Sequence, residues 1–168
     1  MEAISEVEPK TRIRVGDEVW IATALLHREN PDREDFEVQE IVERVGKLNL
    51  SGRLRGGVAP HAYLHCVANR PPKPNPYRML YATGKSRRRL YRDGDPCHPE
   101  RSGKVRPQRG EIPEEYRGLL DWYEKDYAQG AASDPRENPI LSLWGVGKEI
   151  WRDEDPDEYV RRLREGWE

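Results

Sequence analysis

His61 and His65 stand four residues apart, a spacing that puts both imidazoles on one face of a helix. Cys66 follows directly, and Cys97-His98 lies downstream. Imidazole and thiolate are the ligands zinc prefers, but a structural site needs four of them converging on a tetrahedron. On a helix Cys66 points about 100° away from His65, and no CxxC pair supplies the missing ligands. The spacing predicts no metal site and no cofactor, with Cys66 as a small core residue. Nuclease chemistry would need clustered carboxylates beside a lysine. Asp93, Asp95 and Glu100 with Lys104 are the one such set in the basic middle of the chain, and their Gly-Pro-rich setting reads as a turn. Gly52-Arg-Leu-Arg-Gly-Gly lacks the strand before it and the helix in register after it that a phosphate-cradling loop requires. G-x-S-x-G, Walker A and H-E-x-x-H motifs are missing as well. No catalytic residue is assigned, and the chain is read as a non-enzyme.

The residue type that does stand out is arginine. The formal charge of −2 is a cancellation between 29 basic and 31 acidic side chains. Residues 1–46 carry 6 basic and 12 acidic groups, residues 47–110 carry 15 and 3, and residues 111–168 carry 8 and 16. A +12 block between acidic flanks points to an anionic partner. Only 35% of residues are hydrophobic against 36% charged, so the core is small for the length. No apolar run approaches the ~20 residues of a bilayer span. The acidic start, Met1 to Pro9, does not read as a signal peptide, and two cysteines make no disulfide framework. These features predict a cytoplasmic protein.

The elements that must position the arginines follow from pattern. Residues 1–14 read as a polar arm. Asp17 is an expected N-cap for a helix carrying Val19, Trp20, Ala22, Thr23, Leu26 and His27, which Asn30-Pro31 ends. A polar turn over 32–35 leads to a second helix with Val38, Ile41, Val42 and Val45 on its apolar face. The loop 49–57 carries Arg53 and Arg55. A third helix fits 59–68, with Pro60 in its first turn and the pairs Ala62/Cys66 and Tyr63/Val67 facing a core. Residues 77–83 and 87–92 read as two strands joined by Gly84-Lys85-Ser86. Pro113, Glu114 and Glu115 open a fourth helix whose Tyr116, Leu119, Leu120, Tyr123 and Tyr127 share one face. Residues 129–137 read as a linker.

Three short helices and a hairpin predict an α+β fold, a winged helix-turn-helix domain over 15–112 with the helix of 113–128 packed on it. The third helix would read DNA with His61 and His65, and the wing tip would bring Lys85, Arg87, Arg88 and Arg89 to phosphates or a minor groove, with Arg53 and Arg55 alongside. The stretch from Glu18-Val-Trp-Ile-Ala-Thr-Ala-Leu-Leu through Phe36-Glu-Val-Gln-Glu-Ile-Val to Tyr77-Arg-Met-Leu-Tyr resembles uncharacterised prokaryotic proteins. Those are similar to the winged modules of restriction-system and chromatin proteins. The resemblance implies fold and DNA binding, with no target and no catalytic residue.

The segment 138–168 has a different character, with Trp144, Trp151 and Trp167 and a helix start at Asp155-Pro156-Asp157-Glu158. Trp, Tyr and Arg dominate binding hot spots. Gly147-Lys-Glu-Ile-Trp, an acidic spacer and Asp157-Glu-Tyr-Val-Arg-Arg-Leu-Arg-Glu-Gly-Trp resemble VapB-like type II antitoxins, which pair with PIN-domain ribonuclease toxins. The resemblance implies that Trp144, Trp151, Tyr159, Leu163 and Trp167 contact such a toxin, with Arg161, Arg162 or Arg164 entering its acidic metal site. The sequence thus predicts a DNA-binding, antitoxin-like regulator. Its alternatives are a protein- or RNA-interaction module, or an accessory part of a restriction or nuclease system. A tail folded back on the first helices to complete the core is the competing account of the tryptophans. No heptad seam argues for a dimer.

Overall fold

The computed structural model describes residues 12–72 and 74–131. The first helix, α1 (Val15–Glu29), is its central element: Val19, Trp20, Ile21, Ala22 and Ala24 are fully buried. The expected N-cap at Asp17 is corrected. The helix starts three residues earlier, with the extended Arg14 in the cap position, and the buried Asp17 carboxylate accepts from Lys104 Nζ at 2.9 Å. A buried charge needs a counterion more than a helix needs this cap. At the other end the Asn30 N–H and Nδ2 both donate to the Leu26 carbonyl, and Pro31 blocks continuation.

A two-residue strand, β1 (Phe36–Glu37), precedes α2 (Val38–Leu48). The 3.6-residue pattern of α2 buries Val38, Ile41 and Val45. Glu40 Oε2 accepts from the Glu37 N–H at 2.9 Å, satisfying one orphan donor of the first turn. Asn49 closes the helix in the left-handed region (φ 49°), its N–H reaching the Val45 carbonyl. The next helix, α3, begins as an α-turn over Val58–Pro60 and continues as a π-wound turn over His61–His65, where the Cys66 N–H reaches back to the His61 carbonyl. It is shorter than the expected 59–68. Val67 has already left it for a bridge to Leu80, so Val67 is buried while Tyr63, four residues earlier, is 47% exposed.

Strands β2 (Leu80–Ala82) and β3 (Arg87–Leu90) form the hairpin. The sheet is three-stranded and antiparallel in the order β1-β3-β2, with Phe36 opposite Arg88 and Leu80 opposite Leu90. The strand β1 was not expected from sequence, because two residues cannot display an alternation. Its presence makes β3 the central strand.

The last helix, α4 (Gly118–Trp122), continues through a π-wound turn over Tyr123–Tyr127. Leu119, Leu120, Tyr123 and Tyr127 share one core with α1, and the Trp20 and Tyr123 rings meet edge-on at 5.5 Å. Hydroxyls tie this helix to the sheet: Tyr123 donates to the Tyr91 carbonyl and Tyr127 to that of Leu90. The loop between sheet and helix packs closely at Gly103, where any Cβ would lie 2.5 Å from the Pro76 carbonyl oxygen. Among the described residues, no helix is long and apolar enough to cross a membrane.

Candidate functional site

The arginines that sequence placed on a mobile wing tip are mostly inside. Arg88 and Arg89 belong to the central strand β3 and are 1% and 7% exposed, which corrects the expectation that both meet a ligand at the tip. The Arg89 guanidinium forks onto both carboxylate oxygens of Asp95 at 2.6 and 2.7 Å and lies over the Tyr81 ring. Arg87, half-buried, pairs with Asp35 at 2.6 Å. Arg55 pairs with the buried Glu18 at 2.6 Å and also donates to the Ile13 carbonyl. Lys104 bridges Asp17 and Glu111, and Arg106 and Arg109 pair with Glu124 and Asp121. Most of these carboxylates come from the acidic flanks. The charge segregation of the sequence is largely spent on holding the flanks to the middle.

Two further cations have no carboxylate partner among the described residues and bind backbone instead. Arg88 donates from Nε to the Ala62 carbonyl and from a terminal nitrogen to that of Tyr63, at 3.1 and 3.0 Å. Arg101, 3% exposed, donates to the carbonyls of Leu64 and His65 at 2.8 and 2.9 Å. These four carbonyls are the ones a helix ending at His65 leaves without intrahelical donors. The negative end of the helix dipole supplies partial countercharge to both guanidinium groups. Burial lowers the pKa of each from the ordinary arginine value, yet a guanidinium stays charged in a protein. Arg88 also donates to the Gly84 carbonyl at 2.9 Å, fixing the hairpin tip to α3. Arg101 also holds the Pro-rich loop through Arg70, Pro71, Asn75 and Tyr77 carbonyls.

What this clamp presents to solvent is small. Tyr63 is exposed on α3, Arg53 lies in the loop before it, Lys85 is exposed at the hairpin tip, and Arg70 is exposed just beyond the helix. Tyr63 and Arg70 were not foreseen as site residues. Helical spacing would pair Tyr63 with Val67 in the core, and the early end of α3 is what frees it. His61 and His65 are half-buried, their rings edge-to-face at 4.7 Å. His61 Nδ1 contacts the Gly57 carbonyl at 2.7 Å, and burial lowers the His65 pKa. Neither imidazole faces outward freely.

Cys66 is a buried free thiol whose pKa burial pushes up to about 12, so it is unreactive. Asp93, Asp95, Glu100 and Lys104 do not converge: Asp95 caps the turn after β3, accepting from Arg89 and the Arg92 N–H, while Lys104 faces Asp17. Among the described residues, no three His, Cys, Asp or Glu side chains are grouped to hold a metal. Trp144, Trp151, Tyr159, Arg161, Arg162, Leu163, Arg164 and Trp167, expected to meet a protein partner, lie outside the described residues. No protein-family model matches the chain, and no solved structure matches it significantly.

Proposed function

We propose that residues 15–112 form a winged helix-turn-helix module that docks α3 on duplex DNA, in a regulator whose C-terminal segment holds a protein partner. The observation that carries this reading is topological. The order α1-β1-α2-α3-β2-β3 with the sheet order β1-β3-β2 is the arrangement in which a hairpin stands beside a third helix. The exposed side chains around that helix suit a duplex: Arg53 at its entrance, and Arg70 and Lys85 beyond its other end, flank Tyr63. Cations at both ends of a helix meet the phosphates on either side of a groove. The partner-binding half rests on the resemblance of 138–168 to VapB-like antitoxins, and the partner it implies is a PIN-domain ribonuclease.

A second reading has its own observation. The stretch Val58–His65 carries no lysine, arginine or carboxylate, and an uncharged exposed face with a tyrosine suits a protein surface. Fluorescence anisotropy of the full chain on labelled duplex DNA at low salt separates the two. The DNA reading expects binding that Arg53→Gln and Lys85→Gln each weaken severalfold. Absence of binding to any duplex at low salt overturns it and leaves the protein-docking reading. Inhibition of a PIN-domain ribonuclease by the full chain, lost on combined substitution of Arg161, Arg162 and Arg164 by Ala, tests the other half.

A further inference from the structure

We propose that the cleft between the C-terminal end of α1 and the π-wound turn of α4 binds a small aromatic anion, a flat ring carrying a phosphate or carboxylate. The cleft encloses about 300 Å³, at the lower end of the range of small-ligand sites. Its wall is aromatic. The Trp122 and Tyr127 rings line it, their centroids 5.3 Å apart, and the His27 imidazole closes the inner end against Tyr127 at 4.8 Å.

Its charge is positive and only partly answered. Arg28, Arg33 and Arg92 line the cleft against one carboxylate, that of Asp126. Arg33 is engaged, forked onto Glu40 at 2.8 and 2.9 Å and stacked over Phe36. Arg28 and Arg92 have no carboxylate partner among the described residues, and unlike Arg88 and Arg101 they are not held by a set of backbone carbonyls. Arg92 lies over the Tyr127 ring, 4.8 Å from its centroid, and its Nε is buried with no hydrogen-bond partner. The Arg92 guanidinium, which lines the cleft with no carboxylate to neutralise it, and the exposed Arg28 offer an anion in the cleft charge-assisted bonds.

His27 accepts from the Leu90 N–H through Nε2 at 3.3 Å, and burial, with Arg92 and Arg89 nearby, holds its pKa down to about 3. The imidazole is therefore neutral at physiological pH and adds ring surface without charge. Selectivity follows from the two halves of the site. A bare oxyanion gains only the arginines, and a neutral ring gains only Trp122, since Arg92 and Tyr123 already cover the Tyr127 ring. A ligand carrying both groups gains both. This assignment does not depend on whether α3 meets DNA.

The test is a titration of the full chain followed by ¹H–¹⁵N spectra that resolve the Trp122 indole and Arg92 Nε–H signals, assigned through W122F and R92K. The probes are AMP and indole-3-acetate as ring-bearing anions, with inorganic phosphate and adenosine as the separated halves. The expected result is saturable shifts of both signals with one or both ring-bearing anions, at affinities about tenfold or more above those of either half. The exposed Arg28 can be changed to Gln without loss of buried contacts, and R28Q weakens binding severalfold. R92M weakens it about tenfold, the usual loss for a charge-assisted bond, in a protein whose melting temperature shows that it is folded. Shifts equal for phosphate alone, shifts indifferent to R28Q and R92M, or no shift at millimolar probe each overturn the site.

Discussion

Arg101 is the side chain on which most backbone converges. Its five N–H groups are shared among six carbonyls, those of Leu64, His65, Arg70, Pro71, Asn75 and Tyr77. Without it, buried acceptors at the end of α3 and in the Pro-rich loop lose their donors. Arg101→Met is expected to cost roughly 3 kcal/mol or more of unfolding free energy, since each unsatisfied buried group costs about 1–3 kcal/mol. Arg101→Lys recovers only part, because an ammonium has three donors against five in a rigid fork. Urea midpoints at constant slope measure both; a loss below about 1 kcal/mol for the methionine variant would show the network to be dispensable. His27 makes a pH prediction of definite sign. Its folded pKa is held at about 3 by burial, below the ordinary 6.5. The unfolded chain therefore binds more protons below pH 6.5, and stability falls as pH drops from about 6.5, by up to about 1.4 kcal/mol per pH unit. Carboxylates such as Glu40, whose pKa is lowered chiefly by the Arg33 hydrogen bond, withdraw their contribution only at more acid pH. In the window from about pH 6.5 to 5 His27 and His65 give a slope of this sign, while the buried Asp17, whose pKa burial raises, contributes the opposite sign. Chemical denaturation across that window should show a slope that His27→Gln flattens and His65→Gln reduces less; equal slopes in wild type and His27→Gln would contradict the assignment.

At the scale of elements, α3 and the hairpin behave as one unit because Arg88 joins the carbonyls of Ala62, Tyr63 and Gly84. Arg88→Met should therefore raise amide exchange in both the helix and the hairpin turn, while α2, whose end is capped by its own Asn49, keeps its protection. Exchange raised in the hairpin alone would separate the two elements. Helices were largely legible in the sequence. The apolar period of Val38, Ile41 and Val45 and the shared face of Leu119, Leu120, Tyr123 and Tyr127 marked burial that the core contains. The strand β1 was not legible, since two residues carry no period and pairing with a strand fifty residues away leaves no local trace. Without β1 the strand β3 would be an outer strand and its arginines would flank an open tip. The early end of α3 was equally hidden, because its free carbonyls are taken by two guanidinium groups distant in the chain, Arg88 on β3 and Arg101 in the loop beyond it.

For the whole molecule, the +12 block was legible and its meaning was not. Charge segregation along a chain reports only that opposite charges exist to be paired. Whether they meet each other or a ligand depends on folding, and here Glu18, Asp35, Glu111, Asp121 and Glu124 reach into the block. Of the residues expected at the interface, Arg53 and Lys85 remain exposed, Arg55, Arg87, Arg88 and Arg89 are engaged internally, and His61 and His65 are half-buried. A duplex docked on α3 thus meets few cations. The salt dependence of duplex affinity for the full chain tests this most directly, since the logarithmic slope is about −0.9 per phosphate neutralised. With Arg53, Arg70 and Lys85 as the contacts, the expected slope is about −3, falling by about one on Lys85→Gln. A slope near about −10, as a surface displaying the whole block would give, or no binding at low salt, would contradict the account.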